Sequence, residues 1–338
     1  MHEVNVKIPA KAMLFGEYGV LNHGKAIAVT FDQYFFKFNI KVSSNFKDSS
    51  LIKIKSDFFS SKEIEFSSKE LELKTPLDKK TLFFIKLLQP WYCYIKNRNI
   101  EISILNSYSP SLGFGSSSAI ISGIAVAFNS IFLDNKPIFS NPIFWKNIRQ
   151  SIINVQGKGS GYDVAVQLAH YLSQSENEPI QFWVFQNQED SEIPNITKFK
   201  PKDDINLYGC FLKTNIYSDT KKAIYIFSQD NKKEEFANSH TKLAESFIND
   251  SSIKNLNYLM KSAQVIASKQ NILPVEETTF NNLIIQLNSY KVTFKTMGAG
   301  HGDCLWTLAT PDYLINNCKI LKDDIVFAFS KVGDLNER

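Results

Sequence analysis

Glycines, serines and a scatter of lysines carry most of the chemistry that can be read from this chain. From Pro110 the run Gly113-Phe114-Gly115-Ser116-Ser117-Ser118-Ala119 leads into an apolar stretch that continues without proline to Phe132. Gly113 and Gly115 allow a sharp turn and let a ligand come close to the backbone. Ser116 or Ser117 is expected to act as N-cap, its hydroxyl accepting from the first helical amides. Residues 100–104 alternate as a strand does, so the context is strand, glycine turn, helix start. Unpaired N–H groups and the positive end of a helix dipole meet at such a junction, which suits a phosphate. A lone Gly-x-Gly would serve an ordinary turn before a core helix equally well. Here eight of the fourteen glycines fall in three clusters: Gly113 and Gly115; Gly157, Gly159 and Gly161; Gly298, Gly300 and Gly302. Several glycine loops converging on one polyanion would need that distribution.

Composition narrows the partners. The 338 residues suffice for two domains or one large one, and the 27 phenylalanines can fill a substantial core. A formal net charge of +4, with no dense basic run interleaved with aromatics, disfavours nucleic acid and suits a small anionic substrate. The only arginines are Arg98, Arg149 and Arg338, so phosphate would fall to lysines and backbone amides rather than bidentate clamps. Cys93, Cys210, Cys304 and Cys318 lack the paired spacing of a zinc or iron–sulfur site and fit a reducing compartment. No basic-then-apolar leader and no apolar run near eighteen residues is present, so a cytoplasmic protein without a membrane span is expected.

Strands are expected at residues 4–8, 26–29, 34–42, 51–55 and 64–67, then a helix over 81–97 interrupted at Pro90. Helices follow at 138–155 and 164–172, and a strand at 180–185. The polar stretch 186–203 is read as the boundary between an N-terminal domain (1–190) and a C-terminal one (200–338). The second half reads as a strand at 207–213, two helices within 232–272, a helix near 278–290, and strands at 292–295, 305–309 and 325–329. No alternating βαβ run suggests a Rossmann fold, so the class is α+β.

Three motifs, in this order, resemble those of the GHMP kinases, the family of galactokinase, homoserine kinase, mevalonate kinase and phosphomevalonate kinase. Pro9-Ala-Lys11 through Leu14-Phe-Gly16-Glu17-Tyr18 is similar to the first motif, and Pro110 to Ala119 to the second, the phosphate loop. Met297-Gly-Ala-Gly300-His301-Gly302-Asp303-Cys304 is similar to the third. The resemblance implies a two-domain fold with an N-terminal ribosomal-protein-S5-like nucleotide-binding domain and a C-terminal ferredoxin-like α/β sandwich. It implies ATP and Mg2+ as cofactors and phosphoryl transfer to a small acceptor. Tyr18, where mevalonate kinases usually carry histidine, and the loop Gln156-Gly-Lys158-Gly-Ser160-Gly-Tyr162-Asp163 lean towards phosphomevalonate as acceptor, with mevalonate as the alternative. Either a monomer or a homodimer is compatible with the sequence.

Carried onto this chain, the family pattern makes Asp163 and Lys11 catalytic. Asp163 would take the acceptor's proton or hold it in line, while Lys11 would offset charge on the transferring group. An aspartate after Gly-x-Gly is equally at home as a turn residue, and Lys11 as a solvated strand residue. Gly113, Gly115, Ser116, Ser117, Ser118 and Gly300 would bind ATP phosphates, with Ser117 also on the metal. Lys158, Ser160, Lys221 and His301 would meet the substrate, although Lys221 also suits a helix start and His301 an exposed loop. Two departures stand out. The position of the family's metal-binding glutamate, eleven residues before Asp163, is Ile152, and no acidic residue occurs from Phe144 to Tyr162. Gln156, water or an acid from elsewhere must then complete the metal shell. Phe114 also replaces a customary leucine.

Overall fold

The computed structural model describes residues 1–44, 50–56, 63–72, 78–157, 159–173, 178–189, 191–216, 220–270, 272–274, 276–298, 300 and 303–329. Lys158, His301 and Gly302 lie outside them, as does the side chain of Lys221.

Two long strands, β1 (His2–Phe15) and β2 (Ala26–Ser44), pair antiparallel and form the spine of the N-terminal half. Phe36, Phe38, Ile40 and Val42 of β2 point inward while Lys37, Asn39 and Lys41 alternate outward, the period-two pattern of a half-buried strand. The expected strands 26–29 and 34–42 are therefore one strand. The residues between them are absorbed by a register shift at Pro9/Ala10, where Pro9 opposes Phe35 and Ala10 opposes Phe31. β1 likewise runs past the expected Ile8 and carries Lys11 opposite Thr30.

Next come β3 (Leu51–Ser56), β4 (Ile64–Ser67), α1 (Lys79–Leu88), α2 (Tyr92–Ile95) and β5 (Arg98–Asn106). A 3-10 turn at Gln89–Trp91 separates α1 from α2 where Pro90 breaks the period. The buried helix α3 (Ser116–Phe132) packs on β1 and β2, and α4 (Pro142–Gln156) starts behind an Asn141 cap, later than the expected 138. α5 (Tyr162–Leu172), β6 (Ile180–Gln186) and β7 (Asn195–Phe199) complete this half. The sheet order is β4-β3-β5-β2-β6-β7 with β1 attached to β2; β3 and β5 run parallel and the other described pairs antiparallel. The polar stretch read as a boundary thus contains an edge strand, held to β6 through Phe182↔Phe199 and Val184↔Thr197.

The remaining chain gives β8 (Cys210–Lys213), α6 (Thr220–Gln229), α7 (Lys233–Asn249), α8 (Ile253–Lys269) and α9 (Thr278–Ser289). β9 (Phe294–Thr296), β10 (Cys304–Thr307), α10 (Pro311–Asn316) and β11 (Ile325–Ala328) follow. The second sheet is antiparallel in the order β11-β8-β10-β9. Its two faces have different partners. Cys210, Leu212 and Leu305 join Phe280 and Leu287 of α9 and Leu314 of α10, whereas Phe211, Trp306, Phe327 and Phe329 join the core of the N-terminal half.

An aromatic seam results. Phe31 stacks on Phe327 at 4.1 Å between ring centroids, and Phe15 meets Trp306 edge-on at 5.8 Å. Phe114, fully buried in the glycine turn before α3, lies 5.0 Å from Phe31 and 6.1 Å from Phe211. Among the described residues, no helix is long and apolar enough to cross a membrane.

Candidate active site

Strand β1 delivers Lys11 to the turn before α3. The Lys11 amide donates to the Phe114 carbonyl at 3.1 Å, so the turn is laced to the strand by main chain. Its ammonium donates to the Tyr162 hydroxyl at 2.9 Å and reaches the Gly113 carbonyl at 3.4 Å. Lys11 is buried, and burial, the largest influence on its pKa, pushes it down. The neighbouring Tyr162, Asp163 and Asp303 outweigh that, and the net shift is upward, so the group stays cationic at neutral pH. A buried lysine facing acidic partners is not a solvated strand residue.

Neither Ser116 nor Ser117 caps the helix. Gly115 takes the N-cap position at φ 80°, without a side-chain cap, and Ser118 Oγ donates back to the Gly115 carbonyl at 2.8 Å. The left-handed backbone explains this: the chain swings into α3 at a residue that has no hydroxyl to offer. A Cβ on Gly115 would sit 2.5 Å from Lys11 Cε, so glycine is required by space as well as by angle. The first helical amides, which lack intrahelical acceptors in any α-helix, remain available to an anion.

Asp163 stands in the first turn of α5, where the helix dipole favours a carboxylate, and its Oδ1 accepts from the Val164 amide at 3.0 Å. Ser160 lies just before it: its hydroxyl accepts from the Tyr162 amide at 3.4 Å and its carbonyl accepts from Asn187 Nδ2 at 2.9 Å. Asn187 Oδ1 in turn accepts from Arg149 Nη2 at 3.1 Å. Arg149 also donates from Nε to the Glu192 carbonyl at 2.6 Å, so one of the three arginines braces the glycine loop instead of clamping an anion.

The third glycine loop meets the first. The Cys304 thiol donates to the Leu112 carbonyl at 3.3 Å, and the Asp303 carboxylate packs against Gly113. Gly300 turns at φ 82° against Ile272 and, with Gly298, lines a small cavity shared with Glu17, Tyr18, His240 and Lys295. Thr214 is buried behind this loop, and its hydroxyl and amide both donate to the Asp303 carbonyl, at 3.1 and 3.0 Å. Lys221 has its backbone in the first turn of α6.

Lys11, Gly113, Gly115, the three serines, Ser160 and Asp163 therefore gather around one junction. Sequence reasoning overlooked three of its supports. Tyr162 reads as core from its type, yet its hydroxyl receives the Lys11 ammonium. Gln167, fully buried on α5, donates from Nε2 to the Pro9 carbonyl at 2.9 Å and the Gly115 carbonyl at 3.3 Å. Asn187 braces the 157–161 loop. Only Gln167 carried a local signal, a polar group one helical turn beyond Asp163.

Ile152 is in no position to take over a metal-binding glutamate's role. It is 2% exposed, with its Cγ2 and Cδ1 3.0 and 3.2 Å from where Cβ atoms of Gly159 and Gly161 would stand. Among the described residues no three His, Cys, Asp or Glu side chains form a cluster. Mg2+ commonly takes only one or two carboxylates and fills its shell with phosphate and water oxygens. Ser117 in the first turn of α3, and Asp163 and Asp303, whose charges both act on Lys11, have the oxygen chemistry such an ion takes.

Solved structures share this architecture from end to end. A mevalonate kinase of Methanococcus jannaschii superposes with a TM-score of 0.65 at 17% identity, over 96% of each chain. A phosphomevalonate kinase of Streptococcus pneumoniae, in complex with phosphomevalonate and AMPPNP, gives 0.63 at 17% identity over 94% of this chain and 95% of its own. The fold is that of the GHMP kinases. Within this GHMP-kinase fold, a curated mevalonate kinase of Saccharolobus solfataricus is 30% identical over 126 residues, and that match spans 37% of either chain. No family model matches the sequence.

Proposed function

We propose that the chain is an ATP-dependent small-molecule kinase that transfers the γ-phosphoryl group to phosphomevalonate. The observation that carries this reading is the placement of Lys11 Nζ between the Gly113 carbonyl of the phosphate turn and the Tyr162 hydroxyl next to Asp163. One buried cation thereby serves both the group that gives up the phosphoryl and the carboxylate that would meet its acceptor.

In this reading the α3 amides and the turn at Gly113–Gly115 hold the nucleotide phosphates. An acceptor oxygen forms a bond to the γ-phosphorus while the bond to the β,γ-bridging oxygen breaks, and that electron pair leaves with ADP. Lys11 neutralises charge on the transferred group through a transition state in which positioning and electrostatics do most of the work. Bound Mg2+ would supply further neutralisation of the phosphates, with Ser117 and nearby carboxylates as its protein ligands. Asp163 orients the acceptor. It must also take a proton if the acceptor is an alcohol, whereas a phosphate monoester, with a second pKa near 6, is already largely ionised at neutral pH.

A second reading, mevalonate as acceptor, is favoured by the identity shared with the Saccharolobus solfataricus enzyme. ADP release measured by a coupled assay with each acceptor separates them. Turnover is expected with phosphomevalonate and much less with mevalonate. The reverse ranking selects the second reading, and no ADP release with either refutes both.

A further inference from the structure

Gln167 is an odd residue to bury in the middle of the N-terminal half. It is fully buried on α5, one helical turn beyond Asp163, yet its Oε1 has no donor among the described residues. A buried acceptor without a donor costs free energy, and methionine or leucine would fill the same space without that cost. Stability alone does not account for the amide.

Its nitrogen does. Nε2 donates to the Pro9 carbonyl at 2.9 Å and to the Gly115 carbonyl at 3.3 Å. Pro9 stands at the register shift of β1, two residues before Lys11, and Gly115 is the N-cap of α3. From the helix that carries Asp163, one side chain thus ties the strand of Lys11 to the phosphate turn. Only a donor fits between two carbonyl oxygens, so a carboxylate or an apolar group cannot take its place.

The Gly115 carbonyl is a fixed point of the turn. Besides Gln167 it accepts from Ser118 Oγ at 2.8 Å and from the Ala119 amide at 2.9 Å. The Phe114 carbonyl is held too, by the Lys11 amide and the Tyr108 hydroxyl, both at 3.1 Å. A trans peptide is planar, with its C=O and the following N–H on opposite sides. Holding these two carbonyls therefore turns the Ser116 amide away from Gln167, and the Gly115 amide away from β1. Successive amides presented at a left-handed residue form an anion-binding concavity, and Gly115 is such a residue.

We propose that Gln167 is a positioning residue for the nucleotide: by holding the Gly115 carbonyl it aims the Ser116 amide at a phosphate. The assignment rests on the nucleotide-binding part of the kinase reading.

The test joins calorimetric titration of AMPPNP to urea denaturation, on wild type and on Gln167→Met, which conserves length and volume. AMPPNP affinity should fall at least about tenfold. The denaturation midpoint should stay level or rise, because the unpartnered acceptor has gone. Unchanged affinity in the folded variant overturns the assignment. So does a loss of affinity accompanied by a lower midpoint, since Gln167 would then only hold the fold together. Gln167→Glu gives an answer even where Gln167→Met does not fold, because a glutamate there can donate only while protonated. Its AMPPNP affinity, taken relative to wild type, should fall between about pH 6 and about pH 9, the range into which burial lifts a carboxyl group. A ratio that does not change with pH overturns the assignment. Wild-type protein that binds no AMPPNP overturns the kinase reading itself and this assignment with it.

Discussion

Lys295 of β9 donates to Glu17 of the β1–β2 connection at 2.5 Å, and both side chains are buried. The pair joins residues 278 positions apart and draws in His240, whose Nδ1 stands 3.4 Å from the other Glu17 oxygen. Burial, the largest influence on Glu17, raises its pKa, but Lys295 and His240 outweigh it and the net shift is downward. Lys295→Met would strand a buried carboxylate, at a cost of about 3–5 kcal/mol in unfolding free energy. Urea denaturation at pH 7 should show that loss, and adding Glu17→Gln should recover most of it. Because the native pKa lies below the unfolded one, this contribution is present above the ordinary carboxylate range and disappears as pH falls through the native value.

His170 gives a second pH dependence, centred higher. Its Nδ1 lies 2.7 Å from Thr30 Oγ1, which also accepts from Trp183 Nε1 at 2.8 Å. Burial first, then Lys198 and Lys7, pushes its pKa down to about 4. Between about pH 6.5 and 4 the unfolded chain binds a proton that the native chain refuses, so stability drops with falling pH by up to about 3 kcal/mol. Denaturation midpoints across that window should follow this slope, and His170→Gln should flatten it.

Asp163→Asn distinguishes a base from an orienting group. With an alcohol acceptor, turnover should fall at least about a hundredfold, as for loss of a general base. With a phosphate acceptor the loss should be smaller, since no proton needs removing. Full turnover with both acceptors would take Asp163 out of the mechanism.

Tyr162→Phe tests the partner of Lys11. A hydrogen bond to a charged group contributes about 1.5–3 kcal/mol, so kcat should drop roughly ten- to hundredfold if the ammonium loses its position. KM for ATP should change far less. Equal changes in both constants would assign Tyr162 to nucleotide binding.

Gly115→Val places a branched side chain at φ 80°, where even a Cβ meets Lys11 Cε and Ser118 Oγ. The protein should fold, because the seam around Phe114 is untouched. ATP affinity, measured by calorimetry, should fall at least about tenfold. Unaltered affinity in a folded variant would reduce this turn to a simple helix start.

What was legible in the sequence were features with local signatures. The glycine clusters announce left-handed turns, and alternation in β2 and the apolar run of α3 announce a buried layer. Motif order singles out Lys11 and Asp163, and the structure adds that Lys11 is buried. The N-cap was misread because serine at a helix start looks like a cap, while the turn is made by Gly115 one residue earlier. β7 escaped because Asn195–Phe199 is a half-exposed edge strand with little apolar content. The Glu17–Lys295 pair and the Asp303–Gly113 contact could not be seen at all. They depend on how two sheets close over each other, which no spacing within one segment encodes.

Phe114 places the anchor of the phosphate turn inside the seam where Phe31 and Phe211 meet. The two halves are therefore not a binding module with an appendage: Phe211, Asp303 and Cys304, which wall the turn together with Phe31, arrive from beyond residue 200. A nucleotide at a hundred times its dissociation constant adds about 2.7 kcal/mol to whatever structure must be intact to receive it. In the proposed kinase that structure is both sheets at once, so the nucleotide's grip on the loop would be a clasp on the whole chain, released when either half melts.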